Sequence, residues 1–333
     1  MDISKFKSKK FLSVAGLVLA ILVFLVTFPI YGSNSQVGIW VTILMYIILT
    51  VSWVMFSGST GYMSLAVAAF FGIGMYTAAF LYPKTPGPLL PLPAVIIIGG
   101  LVSFVFALLT GLVTLRLKGM YFAIFTFGFA VLLYHCMVYY ELQIIGFRGQ
   151  RLTPITNATA FYILIIVMVV TLLAAYLIRR SRLGLAMQSI GDSEEAAEHM
   201  GVNTTMVKVI TFAISAFFMG AAGAALAPKW EYIDPSVAFN TFYSFMPVLM
   251  AVFGGMRELY GPVIGAAIFA YTERTLRLRF PYYYMLSFGI ALILIIIYLP
   301  GGLTGLVPTL KDKLGNVIAR LRKGGQSEQH ADT

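Results

Sequence analysis

Long apolar runs separated by short polar segments make up almost the whole chain of 333 residues. The runs are continuous rather than alternating every second residue, so they predict helices instead of the strands of a β-barrel. Several runs reach the roughly 20 residues that an α-helix needs to cross a bilayer. The pattern predicts helices at 11–31, 37–56, 61–82, 92–115, 120–140, 160–178, 207–227, 241–254, 259–273 and 283–299.

The composition places these helices in a membrane. Hydrophobic residues make up 59% of the chain and charged residues only 11%, whereas soluble domains carry roughly 25% charged residues. We therefore predict an all-α integral membrane protein with about 8–10 transmembrane helices. The range reflects segments 241–254 and 259–273, which are short enough to be re-entrant or broken helices.

The lysine and arginine residues predict the orientation in the membrane, because inner loops are enriched in them. An inner N-terminus places most of the 23 basic residues inside, including those of the loop 179–206 and of the C-terminal tail. Arg274, Arg277 and Arg279 fall outside and are a local exception. The net charge of +10 follows from this distribution, so it gives no reason to expect a nucleic-acid partner.

We expect one membrane domain and no soluble domain. The transmembrane domain is predicted over 1–310 and contains the inner loop 179–206, and a basic, disordered tail is predicted over 311–333. The outer loops are short, and the prolines of the connection 83–93 make it stiff and non-helical. Both termini are predicted to lie on the inner side.

A polar segment at 181–203, SRLGLAMQSIGDSEEAAEHMGVN, interrupts the apolar pattern. Asp192 is predicted to cap a helix in which Glu195 completes a capping box, and Gly201 is a natural stop. The stretch LGLAMQSI predicts a second short helix just before it. A small apolar face, able to enter a groove of a partner, consists of Ala196, Ala197 and Met200. A solvated linker helix without a partner is the alternative.

Small residues are concentrated in the predicted helix 61–82 and just before it. They allow either close packing of helices or a broken helix whose free backbone groups contact a solute. The sequence leaves both alternatives open. The residues that would line a solute path are Gly61, Tyr62, Ser64, Gly72 and Gly74.

Few residues offer other chemistry. His135 and Glu273 are the candidates for an ionisable group inside the membrane, and His135 is interpreted as a packing residue on an apolar run. Cys136 is the single cysteine, which excludes an internal disulfide and a thiolate metal cage. The sequence contains no G-x-x-x-x-G-K-[ST] nucleotide-binding motif and no H-E-x-x-H zinc motif. We therefore expect no cofactor, no metal and no catalytic residue.

Several segments form an ordered series along the chain. They are GYMSLAVAAFFGIGMYTAAFL at 61–81, RLKGMYFAIFTFGFA at 116–130, SRLGLAMQSIGDSEEAAEHMGVNTTMVKVITFAISAFFMGAAGAALA at 181–227, MAVFGGMRELYGPVIGAAI at 250–268 and LPGGLTGLV at 299–307. In this order they resemble the permease subunits of bacterial ABC importers for branched-chain amino acids. The third segment carries the EAA…G pattern of the coupling loop of that family.

The resemblance implies a polytopic helical permease in the cytoplasmic membrane of a bacterium or archaeon, with the loop 179–206 docked on an ATPase. It implies a second, related permease subunit, two ATP-binding cassette ATPase subunits and an extracytoplasmic solute-binding protein as partners. The implied cargo is leucine, isoleucine or valine, or a related small polar solute. The residues implied in coupling to the ATPase are Asp192, Glu194, Glu195, Ala196, Ala197, Met200 and Gly201.

The sequence also departs from the pattern of the family. Ala66-Val67 stands where members often have Gly-His, and Val131 stands where they have an acidic residue, so the exact cargo does not follow from the resemblance. A self-contained secondary transporter or channel is the alternative function. The scarcity of charge in the apolar runs argues against proton coupling, although not against a passive pore.

Overall fold

The computed structural model describes residues 27–82, 90–256 and 258–280, together with 282–283, 286, 289–290, 293 and 302–305. The following predictions lie wholly or mostly outside the described residues: the helices 11–31 and 283–299, the proline-rich connection after Tyr82, and the tail 311–333.

The described residues are predominantly α-helical, which confirms the predicted fold class. In chain order the helices are α1 Asn34–Trp53, α2 Val67–Leu81, α3 Leu92–Thr114, α4 Met120–Tyr139, α5 Asn157–Arg180, α6 Arg182–Asp192, α7 Glu194–His199, α8 Thr204–Leu226, α9 Pro235–Ala238, α10 Phe242–Gly254 and α11 Tyr260–Arg279. Helical turns of other types occupy Val54–Gly58, Tyr140–Ile145 and Ala227–Lys229, and two short strands are β1 Gln150–Arg151 and β2 Tyr232–Ile233.

Among the described residues, six helical stretches are long and apolar enough to cross a membrane. They are Asn34–Gly58, Leu92–Thr114, Met120–Ile145, Asn157–Arg180, Thr204–Lys229 and Pro235–Gly254. The chain is therefore a multi-pass membrane protein. Five of the six correspond closely to predicted helices, and the sixth begins before the predicted 241–254 because α9 precedes α10.

The predicted helix 61–82 is shorter in the structure. Residues 61–66 have no regular secondary structure, and α2 begins only at Val67. Gly61 has a φ of +74°, a left-handed conformation that glycine adopts without strain, and this conformation ends the preceding helical turn. Of the two alternatives that the sequence leaves open here, the structure has a broken helix at 61–66, while Gly72 and Gly74 further along the stretch serve in close packing.

Helix α8 lies at the centre of the bundle and packs against α2 and α3 through small residues. A Cβ atom added at Gly74 would overlap the carbonyl of Gly220, and one added at Gly99 would press on Ala224. Helices in a membrane lack a hydrophobic driving force for association, so close backbone approach of this kind supplies much of their attraction. The small residues of 221–227 therefore act in packing.

Helix α1 covers another side of the bundle, where it packs against α5 and α11. Its end and the following turn bury two large aromatic side chains, Trp53 and Phe56. Helix α4 differs from the others, because its residues are exposed or half-buried except for Phe122, Thr126 and Ala130, which are buried. One long side of α4 is thus left for lipid or another protein chain.

The ends of the helices form two opposite faces of the bundle. One face carries α6 and α7 and is called here the loop face; a cavity there brings Gly61, Arg179 and Met256 together. The other face carries the antiparallel pair of β1 and β2 and a hydrogen bond between the side chains of Asn157 and Asn34, at 2.8 Å. The position of α6 and α7 at one end of the bundle agrees with the prediction of a polar loop at 179–206.

We expect Gly74→Ala to destabilise the bundle, because the added methyl group would overlap the backbone of α8. Overpacking of this kind costs about 1–3 kcal/mol. The measurement is the midpoint of thermal unfolding in detergent. Gly128→Ala in α4 is the matched control, since a methyl group added there meets no atom within 4 Å. Equal midpoints for the two variants would contradict the close approach of α2 and α8.

Candidate functional site

The loop helices α6 and α7 fold from local signals. The Ser181 hydroxyl accepts a hydrogen bond from the Gly184 backbone N–H at 3.4 Å and caps the start of α6. One side of α6 then packs against the bundle through Gly184, Met187 and Ile190, whose spacing of three residues matches a helix face. The predicted second short helix is confirmed.

The start of α7 differs from the prediction. Asp192 is the last residue of α6, and the N-cap of α7 is Ser193, whose hydroxyl accepts from the Ala196 N–H at 3.3 Å. The predicted capping box of Asp192 and Glu195 is therefore wrong. The physical reason is that Ser193 has the extended backbone (φ −162°, ψ 111°) that an N-cap requires, whereas Asp192 is still helical.

The end of α7 follows the prediction. Gly201 has a φ of +84°, and its N–H donates to the Glu198 carbonyl at 2.9 Å. The N–H of Val202 donates to the Ala197 carbonyl at 3.1 Å. This pair of bonds is a Schellman motif, which satisfies the last carbonyl groups of the helix. A helix of only six residues is thus fixed at both ends.

The two sides of α7 have different surroundings. Ala197 is 0% exposed and packs against the rest of the chain, so its predicted place on a partner-facing surface is wrong. The side chain of Met200 is 71% exposed. Glu195, Ala196 and His199 are also exposed. With Met200 they form a surface that we call the outward face of α7.

Glu194 points in the opposite direction and joins a polar cluster inside the bundle. Its Oε1 atom lies 2.5 Å from Lys208 Nζ in α8, and its Oε2 atom accepts from the Tyr62 hydroxyl at 2.6 Å. Lys208 also donates to the Tyr62 hydroxyl at 3.2 Å and lies 4.6 Å from the centre of the Tyr62 ring. We call Tyr62, Glu194 and Lys208 the Glu194 cluster.

The Glu194 cluster keeps a carboxylate charged in a partly buried position. The Lys208 side chain is 3% exposed and that of Glu194 is 17% exposed. Burial alone raises the pKa of Glu194, but the hydrogen bonds from Lys208 and Tyr62 and the charge of Lys208 outweigh it and lower the pKa below its usual value. Glu194 is therefore ionised at neutral pH, and its charge holds α7 against α8.

The broken segment 61–66 is held by side chains from neighbouring helices. The Trp53 Nε1–H donates to the Ser64 carbonyl at 2.7 Å, and the Thr126 hydroxyl of α4 accepts from the Leu65 N–H at 3.0 Å. Ser244 of α10 accepts from the Ala68 N–H at 3.3 Å, in the first turn of α2. These bonds satisfy backbone groups that a membrane interior leaves without water partners.

The structure brings some of the predicted site residues together. Tyr62, from the predicted solute path, contacts Glu194, from the predicted coupling set. Gly61 and Asp192, one from each set, line the same cavity of about 300 Å³ at the loop face. Gly61 and Tyr62 of the predicted solute path therefore meet Asp192 and Glu194 of the predicted coupling set at one end of the bundle.

Other predicted positions lie elsewhere. Gly72 and Gly74 are buried in the packing of α2, Gly72 against Phe239 and Gly74 against α8. His135 is exposed on α4 beside the ring of Tyr134, so its interpretation as a packed residue is wrong. Glu273 is buried in α11 and forms an ion pair with Arg277.

The sequence reasoning missed two buried charged residues. Lys208 has a signal in the sequence, since it is a lone lysine one turn inside an apolar helix, and its side chain is 3% exposed. Glu141 lies at 0% exposure on the face opposite α7. Its carboxylate accepts from the Tyr76 hydroxyl at 2.9 Å and from the Gly149 N–H at 2.8 Å.

Comparison with known proteins identifies similar chains. The family described as branched-chain amino acid transport system / permease component matches residues 35–297, which include the whole Glu194 cluster. The high-affinity branched-chain amino acid transport system permease protein LivM of Salmonella typhimurium is 29% identical over 352 residues, or 95% of this chain and 79% of LivM.

Two further relatives match shorter stretches. The high-affinity branched-chain amino acid transport system permease protein LivH of Escherichia coli is 30% identical over 146 residues, or 42% of this chain and 46% of LivH. The fructose import permease protein FrcC of Rhizobium meliloti is 29% identical over 140 residues, or 41% of this chain and 39% of FrcC. No solved structure matches the chain.

We expect Lys208→Met to destabilise the chain by roughly 2–3 kcal/mol, because it leaves the Glu194 carboxylate without its cation. Removing one partner of a fully buried pair costs roughly 3–5 kcal/mol, and the 17% exposure of Glu194 lowers the expected cost. Thermal unfolding in detergent measures the loss. The double variant Glu194→Gln, Lys208→Met should recover part of it, and a double variant less stable than Lys208→Met would contradict the ion pair.

Proposed function

This chain belongs to the family of branched-chain amino acid transport system permease components, and we propose that it is the membrane-spanning permease subunit of an ATP-driven importer. The observation that carries this proposal is α7, a short polar helix that is capped at both ends and tied to the bundle through Glu194. A helix held in this way can move as a unit with the membrane helices when a partner pushes it.

The outward face of α7 is the proposed docking surface for an ATPase subunit. Glu195, Ala196, His199 and Met200 point away from the bundle and combine small, apolar and charged groups. Asp192 lies just before the N-cap of α7, and Gly201 lies just after its end. The sequence contains no phosphate-binding loop of its own, so ATP would be hydrolysed by the partner and the energy would arrive through this contact.

The remaining partners are proposed because the chain belongs to this family of permease components. They are a second, related permease subunit, two ATP-binding cassette ATPase subunits in all, and an extracytoplasmic binding protein that delivers the solute. Helix α4 exposes most of one long side, which provides area for the second permease subunit. Surrounding lipid would cover the other apolar surfaces.

Branched-chain amino acids are the proposed cargo. LivM covers almost the whole chain, and its name gives branched-chain amino acids, whereas FrcC matches less than half and its name gives fructose. The longer match supports leucine, isoleucine and valine over a sugar. The proposed cargo extends to related small polar solutes, because Ala66, Val67 and Val131 depart from the pattern of the family.

The loop face is proposed to be cytoplasmic, since the loop 179–206 and the residues before α4 are rich in arginine and lysine. Both termini are proposed to lie in the cytoplasm, as the basic residues of the sequence predict, and the β1–β2 pair on the outer side, where a binding protein would dock.

We expect Ala196→Arg and Met200→Arg each to lower the recovery of ATPase subunits at least about tenfold, because a charge buried without a partner in an interface costs more than about 1.4 kcal/mol. The measurement is co-purification of the chain with its co-expressed ATPases and second permease in mild detergent. Gln143→Arg, exposed on the opposite face, is the matched control for the added charge. Full recovery with both α7 variants would overturn the docking surface, and a native chain that purifies alone would favour a self-contained transporter or channel.

We expect cysteines on the two faces to react with a membrane-impermeant maleimide from opposite sides. In a Cys136→Ser background produced without its ATPase subunits, so that the outward face of α7 is uncovered, Phe147→Cys should react on intact cells, and Met200→Cys should react only after permeabilisation. Both positions are exposed. Reaction of Met200→Cys on intact cells would reverse the proposed orientation.

A further inference from the structure

The Glu194 cluster joins three parts of the chain that are far apart in sequence. Glu194 belongs to α7, Lys208 to α8, and Tyr62 to the broken segment 61–66 that leads into α2. Lys208 also reaches the carbonyl of Leu115, at the end of α3, at 3.5 Å. Any displacement of α7 by a partner therefore acts on each of these parts through one carboxylate.

These parts differ in how easily they move. Helix α8 is held by a full ladder of backbone hydrogen bonds and by close packing against α2 and α3. The segment 61–66 has no such ladder and depends on separate hydrogen bonds from Trp53, Ser57 and Thr126. Each bond of this kind contributes only about 0.5–1.5 kcal/mol. Because no cooperative helical ladder joins them, we expect the segment to move before α8 does.

The ring of Tyr62 is well placed to carry a force. Its edge-to-face contact with Phe122 of α4 has a centroid distance of 5.6 Å, and Lys208 lies over its face. Phe122 in turn contacts Phe56 and Phe212 at centroid distances of 6.2 and 6.0 Å. Because the ring is confined on two sides, a pull on its hydroxyl moves the backbone of the segment rather than rotating the side chain away.

We propose that the hydrogen bond between the Tyr62 hydroxyl and Glu194 transmits movement of α7 to the broken segment 61–66, and through it to α2 and α4. Lys208 keeps the Glu194 carboxylate charged, and its flexible side chain can follow that carboxylate when α7 moves. Tyr62 and Glu194 are thus positioning residues of the transport cycle. The inference rests on the proposed function, because it requires an ATPase that moves α7.

The test follows the segment itself and does not depend on the cargo. Met63 is 50% exposed in the broken segment, so Met63→Cys in a Cys136→Ser background can report its accessibility to a maleimide. The complete complex, in lipid vesicles, is labelled without nucleotide and after trapping with ATP and vanadate. We expect a clear difference in labelling rate between the two states with Tyr62 present, and loss of that difference in Tyr62→Phe.

Tyr62→Phe removes only the hydroxyl and keeps the ring packed on Phe122. Tyr76→Phe is the matched control, since it removes a hydroxyl bonded to the buried carboxylate of Glu141 on the opposite face; it should keep the nucleotide-dependent difference. Glu194→Gln should also lose the difference, because it removes the charge that pairs with Lys208 and leaves a weaker acceptor for the Tyr62 hydroxyl.

The outcomes separate this inference from the proposed function. Retained ATPase subunits and ATP hydrolysis, with a lost labelling difference in Tyr62→Phe, support transmission through the hydroxyl. A labelling difference unchanged in Tyr62→Phe, or absent from the native complex, overturns it and leaves the importer assignment intact. Loss of the ATPase from Tyr62→Phe would mean that the hydroxyl acts in docking, which also overturns transmission. Failure of the native chain to hold an ATPase would instead overturn the proposed function.

Discussion

The ion pair between Glu194 and Lys208 is the interaction on which the arrangement of the loop face depends. A polar helix of six residues has too little apolar surface to hold itself against a membrane bundle, and only Ala197 of its residues is fully buried. The pair supplies the missing attachment at 2.5 Å, in surroundings where a charge without a partner is costly. The caps at Ser193 and Gly201 fix the length of α7, and the ion pair fixes its position.

A second constraint is the satisfaction of backbone groups at the break before α2. A membrane interior offers no water to free N–H and C=O groups, so a broken helix survives there only where the protein provides partners. Trp53 and Thr126 provide two of them, from α1 and α4. The break before α2 is therefore stabilised by specific hydrogen bonds. Its irregular backbone brings the Tyr62 hydroxyl within hydrogen-bonding distance of Glu194.

The sequence predicted the helices well and the contacts between them poorly. The length of a continuous apolar run, as in α3 and α5, predicts the length of the helix directly, because about 20 apolar residues are needed to span a bilayer. The cap of α7 was misplaced by one residue, since Asp192 and Ser193 are both good N-caps and only the packing of α6 decides between them. Which side of α7 faces outward was equally undetermined, because a six-residue helix has too short a pattern to define a face. Lys208 and Glu141 are buried by tertiary contacts with Tyr62 and Tyr76, and no local pattern reports such pairing.

The two tyrosine–carboxylate pairs join different kinds of backbone at the two ends of α2. Tyr76 lies inside α2, and its partner Glu141 also accepts from the Gly149 N–H, so that pair locks a connection on the face opposite α7 to a regular helix. Tyr62 lies before α2, in backbone without a helical ladder, and its partner belongs to a helix with an exposed side. The same tyrosine–carboxylate hydrogen bond thus attaches to regular helix at one end of α2 and to backbone without helical hydrogen bonds at the other. A force applied to the outward face of α7 would act on residues 61–66, while close packing against α8 at Gly74 and Gly220 holds α2 in place.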